Sequence, residues 1–101
     1  MIIVTGSVQL TPEGRDEGFR LGTEHSQRSR AEPGCIAHNC YEDCETPGRM
    51  HFFEKWADLA ALKAHFAVPE SSAFVQQVAA LAEAPPTIEI FTAEAVEFPP
   101  R

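Results

Sequence analysis

The sequence predicts an α+β fold in which a strand, a long helix, two strands, a divided helix and a final strand form a four-stranded antiparallel sheet covered by helices on one face. Three observations carry that prediction. Residues 2–10 alternate apolar and polar in the manner of a half-buried strand. Thr11-Pro12 and Asp58 are helix-start signals placed directly after strand-like runs. Turn signals at Glu32-Pro33-Gly34, Pro47-Gly48 and Ala84-Pro85-Pro86 cut the rest into pieces of strand and helix length. At 101 residues the chain is read as one domain, 1–101, with 95–101 as a tail.

In the first strand Ile2, Val4, Gly6, Val8 and Leu10 share one face, and Ile3, Thr5, Ser7 and Gln9 the other. Thr11 as N-cap and Pro12 at the first helical position open a helix expected to reach about Ala31, with Glu13 and Asp16 near its positive end. Its apolar content is poor, and Gly14, Gly18 and Gly22 recur every four residues. Each costs about 0.5–1 kcal/mol against alanine, so the row points to close approach to a sheet.

The second strand, Cys35 to Asp43, places Ile36, His38 and Cys40 on one face and Cys35, Ala37, Asn39 and Tyr41 on the other. After a polar loop, the strand from Met50 to Trp56 points Met50, Phe52, Glu54 and Trp56 one way and His51, Phe53 and Lys55 the other. Asp58 caps a short helix on which Leu62, His65 and Phe66 share a face, so Glu54, Trp56 and His65 converge at the strand end. Pro69 interrupts the helix. A third helix, about Ser71 to Ala82, carries the stripe Phe74, Val75, Val78, Leu81 and is capped by Ser71 or Ser72. The last strand, Thr87 to Ala95, sets Ile88, Ile90 and Thr92 against Glu89, Phe91 and Ala93. This β-α-β-β-α-β order is the ferredoxin-like arrangement, with both helical layers on one face. The bare face carries Ile3, Phe53 and Phe91, which predicts a homodimer through it.

Composition excludes several classes. A net charge of −7 with only eight scattered cations offers no phosphate-binding face, so nucleic acid is not a partner. No run approaches the roughly 18 apolar residues of a membrane span. Met1-Ile2-Ile3-Val4 lacks a basic n-region, so a first strand and a cytoplasmic location are expected. Cys35, His38, Cys40 and Cys44 cluster in sequence, but their spacing matches no zinc signature and strand parity points Cys35 away from His38. The thiols are read as structural, with no metal ligand set and no cofactor fingerprint.

Glu32-Pro33-Gly34-Cys35-Ile36, Tyr41-Glu42-Asp43, Phe53-Glu54-Lys55-Trp56-Ala57-Asp58, Ala61-Leu62-Lys63-Ala64-His65-Phe66 and Ser72-Ala73-Phe74 resemble, in this order, the antibiotic biosynthesis monooxygenase family. The resemblance implies a dimeric α+β barrel. It also implies oxidation of a small phenolic or quinol-like aromatic compound by molecular oxygen, without metal or flavin, in a cavity between sheet and helices. Trp56 matches the family's tryptophan and His65 its common second-helix histidine. Phe52 stands where one branch has a polar amide, Leu62 where it has a tyrosine, His38 where many members have a tyrosine, and His25 where many have an aliphatic residue. Thr5, Gly6 and Ser7 occupy the region where a haem-degrading member offers an asparagine, which argues against haem degradation.

The candidate catalytic residues are therefore His38, His65 and Glu54, with a histidine as general base. Trp56, Phe52, Leu62, Phe66, Phe74 and His25 are the candidate substrate contacts, although a helix-surface position is the plainer reading for His25. For Glu54 a structural carboxylate that fixes the strand-to-helix turn competes with a chemical role. Two other functions use the same scaffold: isomerisation or cleanup of a small reactive carbonyl without oxygen, and non-catalytic binding of an apolar metabolite by the dimer.

Overall fold

The computed structural model describes all 101 residues, in the order β1 (Ile2–Gln9), α1 (Arg15–Ser29), β2 (Cys35–Glu42), β3 (Arg49–Trp56), α2 (Leu59–Ala67), α3 (Pro69–Ala79) and β4 (Thr87–Thr92). The four strands form one antiparallel sheet in the order β2-β3-β1-β4, and the fold is the α+β, ferredoxin-like one expected from the sequence. No helix is long and apolar enough to cross a membrane.

Register turns strand parity into rows of side chains beneath the helices. Ile2, Trp56 and Cys35 form one row, Val4, Glu54 and His38 the next, and Gly6, Phe52 and Cys40 the third. Two apolar clusters hold the layers together. Val8, Leu10 and Met50 pack with Phe74 and Val78 of α3 at one end, and Ile2, Val4 and Trp56 pack with Leu62 of α2 at the other.

The glycine row of α1 does what its spacing implied. A Cβ on Gly18 would lie 2.5 Å from Leu10 Cδ1, and one on Gly22 would meet Met50 Cε at 3.0 Å and Cys40 Sγ at 3.1 Å. The buried face of α1 is accordingly Gly18, Gly22, His25, Ser26 and Ser29, small or polar throughout. Its start differs slightly from the expectation. Residues 12–14 form a turn in which Thr11 Oγ1 accepts from Gly14 N at 3.0 Å, and the regular helix begins at Arg15.

Four local expectations are corrected. A β-bulge between Cys35 and Ala37 shifts the register, so Cys35 packs with Trp56 on the His38 side and Ile36 is exposed. The third helix begins at Pro69, not Ser71, because Val68, in extended backbone, ends α2 and precedes a proline suited to a first turn. Ser71 is thus buried inside α3, and Val75 of the expected stripe is exposed. That helix also stops at Ala79, three residues short of the expected end. Finally, β4 ends at Thr92 and all six of its residues are exposed: it pairs only with β1 at the sheet edge, and it lacks the helix packing that α1 gives the other edge strand, β2.

Two turns depend on glycine backbone, at Gly34 and Gly48. Gly34 sits at φ +80°, where a side chain is strained, and its added Cβ would lie 2.5 Å from Ala61 Cβ on α2. Gly34→Ala is expected to cost about 2–5 kcal/mol, combining left-handed strain of about 1–2 kcal/mol with overpacking of about 1–3 kcal/mol. Urea unfolding should show that loss, and pairing the change with Ala61→Gly should recover the overpacking part.

Candidate functional site

Between the two apolar clusters the helix-facing side of the sheet is polar. Strand register sets Glu54 directly opposite His38, α1 lowers His25 and Ser26 onto them, and α2 brings His65 from the side. The ring centroids of His25, His38 and His65 are 5.0–5.4 Å apart, and all three residues are buried. His25 was the one expected at a helix surface. It is instead stacked on Phe74 with centroids 4.1 Å apart and planes 4° from parallel, because the glycine row turns this face of α1 inward.

Each imidazole is held through Nδ1. His65 donates Nδ1–H to Glu32 Oε1 at 2.8 Å, which leaves Nε2 with the lone pair. His38 Nδ1 lies 2.9 Å from Ser26 Oγ, and Arg30 Nη1 donates to the His38 carbonyl at 2.8 Å. Arg28 Nη2 donates to His25 Nδ1 at 2.6 Å. Glu54 accepts from Trp56 Nε1 at 3.0 Å, so the two face-sharing residues of β3 satisfy each other within the core. The remaining separations are 3.5 Å from His38 Nε2 to Glu54 Oε2 and 4.0 Å from His65 Nε2 to Glu54 Oε1.

Burial governs the protonation of this cluster. It pushes His25 and His38 down to about 3, helped for His25 by His38, His65 and Arg28 and for His38 by His65, Arg30 and Arg28. Burial also raises Glu54 above the usual carboxylate range, against the Trp56 hydrogen bond and the neighbouring His65.

A cavity of about 380 Å³ opens beside the cluster, within the range of small-molecule sites. Its inner end is formed by His25, Glu54 and His65, its walls include Val4, Val8, Phe52, Phe74 and Val78, and its mouth lies between the exposed side of α3 and the start of β4 at Thr87 and Ile88. Phe66 reaches the rim. His38, Trp56 and Leu62 do not line it: each is at most 1% exposed and packed behind the wall. Of the residues expected at the site, the structure therefore brings Glu54, His65, His25, Phe52, Phe66 and Phe74 to the cavity.

Sequence reasoning missed Glu32, Ser26, Arg28 and Ser71. Glu32 read only as part of a helix stop, and its partner is 33 residues away. Ser26 and Arg28 fall beside His25 on a helix whose inner face carries no apolar stripe to mark it. Ser71 was read as a helix cap, and its buried Oγ faces the cavity region with no hydrogen-bond partner.

The model of the antibiotic biosynthesis monooxygenase family matches residues 1–77, which contain every residue of the histidine cluster. The Synechocystis protein sll1783 is 36% identical over 90 residues, covering 89% of this chain and 61% of that protein, so the chain spans about three fifths of that relative's length. Bacillus subtilis YcnE is 31% identical over 85 residues, 84% of this chain and 90% of YcnE. A solved structure described as an antibiotic biosynthesis monooxygenase superposes with TM-score 0.86 at 29% identity, covering 94% of this chain and all of that one. A Deinococcus radiodurans structure superposes with TM-score 0.92 at 26% identity, covering 97% and 98%.

The depressed histidines set a pH dependence. In the unfolded chain both take a proton near 6.5, whereas folded they stay neutral to about 3. Stability is therefore full above pH 6.5 and falls as pH drops, by up to about 1.4 kcal/mol per pH unit for each histidine. Glu54, raised by burial, restores part of the loss as pH falls toward the ordinary carboxylate range. Urea unfolding between pH 7 and 4.5 should show the slope, and His38→Gln should flatten it by about half.

Proposed function

Since the chain belongs to the antibiotic biosynthesis monooxygenase family, we propose that it oxidises a small phenolic or quinol-like aromatic compound with molecular oxygen in the cavity between sheet and helices. The observation that carries this reading is the Glu32–His65 pair at the inner end of an apolar cavity. The carboxylate fixes the tautomer and orientation of the ring, and Nε2 is left to accept a proton on the side of Glu54.

The chemistry asks little more of the protein. A bound phenol gives its proton to His65, and the phenolate passes one electron to oxygen. The phenoxyl radical and superoxide then combine at a ring carbon that bears hydrogen, and the resulting peroxide anion takes back that proton to become a hydroperoxide. Loss of water from that species leaves a quinone, with one oxygen atom in the product and the other in water. Phe52, Phe74, Val8 and Val78 keep bulk water from the radical pair and hold the ring against the base. Glu54, more readily protonated than an ordinary carboxylate, lies 4.0 Å from His65 Nε2 and can carry the proton onward.

Among the histidines this reading favours His65 over His38, whose Nδ1 is engaged by Ser26 and which lies behind the cavity wall. Oxygen uptake over a panel of hydroquinones and polyphenols tests the function. His65→Phe is expected to lower the rate by about 10²–10⁴-fold and His38→Phe by much less. A rate lost with His38 and kept without His65 overturns the assignment. Product formed without oxygen uptake points instead to isomerisation of a reactive carbonyl.

The same reading includes a homodimer through the open sheet face. Ile3 pairs with Phe91 across the sheet, Phe53 lies on the same face, and Phe91 is 46% exposed. Sedimentation at micromolar concentration should give a dimer, and Phe53→Asp should yield monomers. A monomeric wild-type protein would falsify this part.

A further inference from the structure

The three buried imidazoles have a property the sequence did not reveal, since His25, His38 and His65 show no metal-ligand spacing. One ligand nitrogen from each lies within 4.8 Å of the other two. Nitrogens on a tetrahedral zinc, each about 2.0–2.1 Å from the ion, are about 3.3 Å apart, so binding would draw the three together by about 1.5 Å at most. We propose that His25, His38 and His65 bind one divalent transition-metal ion, with Glu54 as the fourth ligand.

A second observation points to a ligand independently. His38 is fully buried, yet its Nε2 has no hydrogen-bond partner, and it lies 3.5 Å from Glu54 Oε2. A buried ring nitrogen left unpaired costs stability, and an ion between it and the carboxylate would satisfy both. The surroundings follow the pattern of histidine ligands held through their second nitrogen: Glu32 takes Nδ1–H of His65, and Ser26 contacts Nδ1 of His38. Three imidazoles and one carboxylate suit zinc, copper or nickel and not magnesium or calcium. The cavity, which reaches His25, His65 and Glu54, supplies the path of entry.

Arg28 is the opposing element. Its guanidinium can only donate, so it claims His25 Nδ1 and leaves the proton on Nε2. Binding therefore requires Arg28 to release the ring or His25 to lose that proton, and Arg28→Gln should tighten the site. The inference stands apart from the proposed oxidation, but it has a consequence there: an ion on His65 takes the lone pair the proton transfer uses.

The test is titration of metal-stripped protein with Zn²⁺ by calorimetry, with Co²⁺ as a spectroscopic probe. One ion per chain is expected, with Co²⁺ d–d bands and no thiolate charge-transfer band. Glu32→Gln should weaken binding by about 10–100-fold. His38→Gln and His65→Gln should weaken it further, while His51→Gln, at a half-exposed residue beside Asp43, should leave it unchanged. Absence of stoichiometric binding, a thiolate band from Cys35, Cys40 or Cys44, or cluster variants with wild-type affinity overturns the site; the wild-type stoichiometry and spectrum decide even if a variant fails to fold. Zn²⁺ should slow oxygen uptake in proportion to occupancy, with recovery on chelation. Zinc bound at the histidines without inhibition leaves the metal site standing and overturns His65 as the base.

Discussion

The site depends on how closely α1 lies against the sheet. Helix and sheet meet where Gly18 and Gly22 face Leu10, Met50 and Cys40, with no room for even a methyl group at Gly18 unless the Leu10 side chain moves. That proximity lets the short side chain of Ser26 reach His38 and sets His25 between His38 and Phe74. A helix carrying leucines on this face would stand farther off, and the imidazoles would lose both their contacts and their dryness.

Close packing then determines the electrostatics. Four ionisable side chains share a small buried volume, and desolvation keeps two of the imidazoles neutral and makes Glu54 hold its proton longer than usual. Glu32 and Arg28 stand at the edges of the cluster, where each fixes one ring by its Nδ1. Four fully buried side-chain atoms lack a hydrogen-bond partner: His38 Nε2, Ser71 Oγ, Arg28 Nε and Glu32 Oε2. Unpaired atoms in so dry a place are where a ligand has most to contribute.

Similarity in fold extends over nearly the whole chain at modest identity, and a shared scaffold does not by itself fix the chemistry. The ionisable side chains gather at the cavity's inner end. His25, His38 and His65 come from a helix, a strand and a second helix, and no two are closer than 13 residues in sequence. Val4, Val8, Phe52, Phe74 and Val78 make much of the remaining wall apolar, with Ser71, Ser72 and Gln76 beside them. The ionisable groups are thus concentrated at one pole of a chamber whose other walls carry only uncharged side chains.

The amino-acid sequence by itself determined the order of elements, the buried face of β1, the Asp58 cap with its 2.8 Å bond to Ala61 N, and the close approach signalled by the glycine row. These rest on local rules: period-two alternation, capping chemistry and the steric demand of a missing Cβ. It also placed Glu54 and His65 together, because strand parity and the cap between β3 and α2 are local as well. Tertiary structure alone decided that His25 is buried, that Glu32 orients His65 across 33 residues, and that a bulge exposes Ile36 while turning Cys35 inward. It also decided that Trp56 and Leu62 stand behind the cavity wall while β4 is left uncovered. Each of those outcomes depends on which surfaces meet, and contacts between residues far apart in the chain leave no periodic mark on either partner.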